Sequence, residues 1–116
     1  MKESVLKIKS YKFAIRIVKL YQFLTKEKKE FVLSKQILKS GTAIGALIRE
    51  AEFAQSKADF INKMNIALKE ANETIYWLEI LKDTGYIDDK LFKSLNNDCE
   101  ELIKMLVSTV KTSKNH

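Results

Sequence analysis

The sequence predicts an all-α protein, an antiparallel up-and-down four-helix bundle, and three observations carry that expectation. Proline is absent and the 3 glycines fall at positions 41, 45 and 85, which removes most of the punctuation that a sheet with many tight turns requires. Apolar residues recur at threes and fours through most of the chain, the period of a helix with one buried stripe. At 116 residues, 46% hydrophobic and 31% charged, the chain fits one globular domain spanning residues 1–116. Such a domain buries a modest core, so a partner subunit would add usefully to its stability.

The first helix is expected over about 11–28, with Ser10 as N-cap and the run Lys26-Glu27-Lys28-Lys29-Glu30 ending it as a solvated connection. The second runs over about 34–55. Ser56-Lys57-Ala58-Asp59 then reads as a capping box with Asp in place of the usual Glu, opening a third helix over 57–84 that Gly85 terminates as a left-handed C-cap. Its core stripe is Ile61, Met64, Leu68, Ala71, Ile75 and Leu78. Asp88 caps a fourth helix over 89–111, whose seam is Leu91, Leu95, Cys99, Leu102, Leu106 and Val110.

The helices differ in what they leave uncovered. The fourth has one apolar face, with Lys93, Asn97, Glu100, Glu101 and Lys104 turned to water. The third has two: Ile66, Trp77 and Ile80 line up opposite its core stripe, beside Glu70 and Glu73. That second stripe reads as a subunit interface, against the alternative of a wide bundle face, because large exposed apolar patches on monomers are uncommon. In the second helix, Gly41-Thr42-Ala43-Ile44-Gly45 forms a GxxxG run that admits another backbone closely. Each helical glycine costs up to about 1 kcal/mol relative to alanine, which the close contact must offset. The rival reading, a phosphate cradle, lacks the GxGxxG or GxxxxGK[ST] pattern it needs.

Charge is unevenly spread. The chain carries 21 Lys and Arg against 15 Asp and Glu, net +6, yet residues 1–39 hold eleven basic and three acidic side chains. The positive field therefore belongs to the N-terminal third, as suits a polyanion partner. On the first helix Lys12, Arg16, Lys19 and Lys26 share a face with Phe23, and Ile15 lies at its edge. This mixture suits gripping phosphates while stacking a base; burial of Phe23 and Ile15 by another subunit is the competing reading.

Little in the sequence points to catalysis. The one histidine is His116 and the one cysteine, Cys99, lies on a core stripe. No catalytic residue, cofactor or metal ligand is expected, and the Glu-x-x-His pairs of a di-iron bundle are missing. Glu70 and Glu73 could form a two-carboxylate site, but pairing with Lys or Arg, including across a subunit boundary, is the simpler expectation. A lone cysteine, no leader and no apolar run of membrane-spanning length point to the reducing cytoplasm, with no membrane partner.

Two stretches carry a family resemblance. Residues 31–46, Phe-Val-Leu-Ser-Lys-Gln-Ile-Leu-Lys-Ser-Gly-Thr-Ala-Ile-Gly-Ala, and the pair Ala54 to Met64 and Ala67 to Thr74, running into Tyr76-Trp77-Leu78-Glu79, resemble the signatures of the 23S ribosomal RNA intervening-sequence proteins, or four-helix bundle protein family. The similarity spans about Phe13 to Ile87. One departure is Leu47, where many relatives carry Asn. The resemblance implies a bacterial antiparallel bundle, often a homopentamer, akin to the accessory proteins of diversity-generating retroelements, which bind nucleic acid and a reverse transcriptase. Together with the basic stripe it leads to the expectation of a non-enzymatic homo-oligomer that binds nucleic acid, RNA before DNA. A structural adaptor that binds another protein is the alternative, and an anion-binding or metal-dependent enzyme trails both.

Overall fold

Four helices account for almost the whole chain: α1 over Lys2–Lys26, α2 over Leu33–Ala51, α3 over Lys57–Asp83 and α4 over Asp89–Lys114. The computed structural model describes residues 2–115. Each helix packs against two neighbours, so that α1 touches α2 and α4 while α3 touches the same two from the other side. Helices of 25 to 27 residues are about 40 Å long, and the molecule accordingly measures 47 × 21 × 20 Å. Phe13, Ile17 and Leu24 of α1 meet Ile37 and Ile44 of α2, Met64 and Leu78 of α3, and Leu95, Leu102 and Leu106 of α4 in one continuous core. Of the four seams, α1 against α4 is the loosest.

Helix ends depart from the sequence expectation in instructive ways. α1 begins at Lys2 and not near Tyr11, because the apolar phase set by Phe13, Ile17 and Leu24 continues back to the fully buried Leu6. Ser10 is therefore no cap. It is buried inside the helix and its hydroxyl donates to the Lys7 carbonyl. α2 stops at Ala51, short of Gln55, since Ser56 must be extended (φ −157°, ψ 165°) to accept a hydrogen bond from the Asp59 N–H. The Asp59 carboxylate accepts from the N–H of Gln55, one residue earlier than a capping box would have it. α3 ends at Asp83 and Gly85 follows with φ +83°, the left-handed C-cap expected there. Asp88 caps α4 through the Leu91 N–H, and α4 runs on to Lys114 because Thr109 and Val110 are still buried.

The α1–α2 connection is not simply solvated. Glu30 is only 8% exposed, and its carboxylate accepts from the backbone N–H groups of Val32 (3.2 Å), Leu33 (2.9 Å) and Ser34 (2.7 Å). The Ser34 hydroxyl donates in return to the Glu30 carbonyl at 2.9 Å. Val32, at the N-cap position, makes no side-chain cap of its own. Glu30 thus satisfies the orphaned donors of α2 from outside the helix, where the positive end of the helix dipole favours an anion. Burial alone would raise its pKa, but the three backbone N–H bonds and the Ser34 hydroxyl outweigh that and hold it below the ordinary carboxylate value.

The glycines of α2 do what their spacing predicts. A Cβ on Gly41 would stand 2.7 Å from Cγ1 of Ile17, and one on Gly45 would stand 3.3 Å from the Ser10 carbonyl oxygen. α1 therefore lies directly on the small-residue stripe. Across the core, the Thr74 hydroxyl donates to Ser40 Oγ at 3.0 Å and the Cys99 thiol lies 3.3 Å from the Ala71 carbonyl. These bonds supply partners for polar groups that would otherwise be costly to bury.

Candidate nucleic-acid interface

α1 presents its basic stripe on the side that faces α4, and α4 decides how much of that charge is free. Arg16 donates to Asp98 Oδ2 at 2.7 Å and to Ser94 Oγ at 2.9 Å, and Lys9 pairs with Glu101 at 2.9 Å. The first half of α1 is thus faced by acidic side chains. Further along, where α4 contributes Leu91 and Leu95, no carboxylate is among the described residues that line the groove between the two helices. Among the described residues Lys12, Lys19 and Lys26 have no ion-pair partner.

Phe23 stands in that second half, 37% exposed, with Lys28 Nζ 5.8 Å from its ring centroid. Beside it, Arg16, Lys19, Leu20, Leu91 and Leu95 complete an open groove of about 310 Å³ between α1 and α4. The structure therefore brings Arg16, Lys19 and Phe23 together at one groove. It leaves Lys12 nearer the acidic stretch, lining a separate hollow with Asp98 and Glu101. Lys26 closes the last turn of the helix.

Sequence reasoning named Ile15 as an interface residue but missed the rest of an apolar seam on the same helix. Ile8, Tyr11, Ile15 and Val18 are all exposed, Ile8 and Tyr11 at 55% and 54%, and they alternate in threes and fours as an interface seam does. The pattern is plain once α1 is known to begin at Lys2; a helix started at Tyr11 leaves Ile8 outside the projection. Arg49 of α2 stands over the Tyr11 ring at 5.3 Å. By contrast, Ile66, Trp77 and Ile80 on α3 are half-buried. Trp77 packs on the core and its indole N–H donates to Glu73 at 3.1 Å. Glu70 and Glu73 have no ion-pair partner among the described residues.

A larger hollow, about 620 Å³, lies elsewhere, at the end of the bundle where Lys7 pairs with Glu52 at 2.7 Å beside Ile48, Phe60 and Met64. Among the described residues no group of three His, Cys, Asp or Glu side chains converges to hold a metal ion, and no helix is long and apolar enough to cross a membrane. His116 lies outside the described residues. The Cys99 thiol is pushed up to about 12, first by burial and then by the neighbouring Glu100 and Asp98 carboxylates.

With the bundle and its signature glycine packing in place, comparison with known proteins decides the kinship. The family model of the 23S rRNA-intervening sequence protein matches residues 2–108. The chain belongs to that family. It is also similar, at 65% identity and a TM-score of 0.95, to a crystal structure at 1.70 Å of a Bacteroides thetaiotaomicron protein of unknown function from the S23 ribosomal protein family, over 96% of this chain and 99% of that one. The curated proteins contain no match. The crystallised relative thus shares this bundle closely, and its function is described as unknown.

Proposed function

We propose that the protein is a non-enzymatic, self-associating bundle that binds nucleic acid through the second half of α1, RNA in preference to DNA. The observation that carries this reading is the cluster of unpaired Lys19 and Lys26 with the exposed Phe23, beside a groove that has no carboxylate in its lining. Cations with no internal partner are free to displace the counterions condensed on a polyanion, which drives association at ordinary salt. RNA is placed before DNA on the resemblance to the 23S rRNA-intervening sequence family. The exposed seam Ile8, Tyr11, Ile15 and Val18 supports self-association, with Ile66, Trp77 and Ile80 as the complementary surface and a pentamer as the expected assembly. Repeating a weak basic patch around an assembly raises its avidity for one long strand through effective concentration.

The test is titration of a labelled RNA at two salt concentrations. Lys19→Glu with Lys26→Glu is preferable to a change at Arg16, which would set a carboxylate against Asp98. Wild type should bind saturably at low salt, and the double reversal should bind more weakly and lower the log–log salt slope by about 0.7 for each lost contact. Equal binding by both proteins makes the stripe a solvated face. The same apolar seam favours the second reading, an adaptor for another protein such as a reverse transcriptase, and that reading takes over if no RNA or DNA binds at low salt.

A further inference from the structure

We propose that the α1/α4 groove seats one unpaired base of a single-stranded nucleic acid, an inference that rests on the nucleic-acid reading above. The loosest seam of the bundle leaves this groove open. Its floor is the aliphatic side chains of Leu20 and Leu95, its edges are Leu91 and the ring of Phe23, and among the described residues its charged lining groups are Arg16 and Lys19. An apolar floor and wall with Arg16 and Lys19 beside them suits a ligand that alternates a flat hydrophobic body with an anionic link. A nucleotide strand has that alternation at every step, whereas a duplex keeps its bases stacked and paired inside.

Two features prepare the site. The Arg16 guanidinium is already held by Asp98 and Ser94, so its plane is set before a ligand arrives and less side-chain freedom is lost on binding. It keeps further N–H donors for a phosphate or a base edge. Lys19 and Lys26 are about 10 Å apart along the helix axis, a span of about three nucleotides at the roughly 3.4 Å repeat of one strand. A phosphate can therefore meet each ammonium group while one of the bases between them turns inward. Because the groove offers few groups that read base edges, recognition there is tolerant of sequence and rests on the face of the ring.

The experiment compares a short oligouridylate with an abasic strand of equal length and charge, titrated against wild type, Phe23→Ala and Leu91→Trp at one salt concentration. Subunit count and helical circular dichroism are recorded for each protein. Wild type should prefer the base-bearing strand by at least about fivefold, since one stacked base contributes roughly 5- to 150-fold. Phe23→Ala should erase that preference by removing a wall, and Leu91→Trp by filling the groove, while both keep wild-type affinity for the abasic strand. Equal binding of the two strands by wild type overturns the inference and leaves phosphate binding intact. So does a Phe23→Ala protein that changes subunit count with its strand preference unaltered, because a neighbouring copy then fills the groove. If neither strand binds, the nucleic-acid reading itself falls, and the inference with it.

Discussion

Replacing Glu30 should destabilise the protein more than any other single change at a charged position. Its carboxylate accepts from three backbone N–H groups at the start of α2, and the shortest bond goes to Ser34, which is fully buried. In Glu30→Ala, water can reach the N–H groups of Val32 and Leu33, but that of Ser34 is left without a partner. An unsatisfied buried donor costs about 1–3 kcal/mol, and the lost anion at a helix N-terminus adds about 0.3–1 kcal/mol. A total near 2–3 kcal/mol should lower the melting temperature by roughly 10 °C for a domain of this size. Glu30→Gln keeps one acceptor oxygen and should lose about half as much. Because the pKa of Glu30 is held below its ordinary value in the folded state, the stabilisation is present above the unfolded-state value of about 4.3 and is lost as pH falls through the lower folded value. Urea unfolding of wild type and Glu30→Gln from neutral pH down to acid should show the gap between them shrinking across that window. A gap that stays constant into acid, or a Glu30→Ala protein as stable as wild type, would refute the capping argument.

Three further outcomes are expected. Gly41→Ala should cost about 1–2 kcal/mol by urea unfolding, as overpacking against Ile17 outweighs the helix propensity gained; combined with Ile17→Ala the two losses should sum to less than their separate values, and strict additivity would show that the methyl never meets Ile17. Cys99, with its thiol pushed up to about 12 by burial, should react with a thiol reagent at pH 8 only through unfolding, so that fast labelling of native protein contradicts its placement. Ile15→Glu and Trp77→Glu should each release smaller species in light scattering, and a wild type that is monomeric at micromolar concentration removes the interface from the reading.

The acidic partners of α1 explain why the candidate site was only half legible in the chain. Lys12, Arg16, Lys19 and Lys26 share a helical face by spacing alone, and that much is local arithmetic at about 100° per residue. Which of them stay free is a property of α4, some eighty residues away, where Asp98, Glu101 and Ser94 occupy one stretch and Leu91 and Leu95 the next. No pattern within residues 1–39 carries that information. The groove beside Phe23 is likewise a gap between two helices, and its existence depends on how loosely they pack.

What the sequence determined by itself is the set of properties that depend on period and on local hydrogen bonding: four amphipathic helices, the Ser56 and Asp88 caps and the Gly85 stop. These are decided within one or two turns of chain, so the residues that cause them are neighbours in sequence. Tertiary structure decided the rest. Leu6 draws α1 back to Lys2 because its side chain reaches the same core as Phe13. Glu30 turns from a member of a charge run into a buried cap because the chain reverses there and brings three free N–H groups to its carboxylate. In each case the deciding partner lies on another helix or beyond a turn, and only folding brings the two within hydrogen-bond or packing distance.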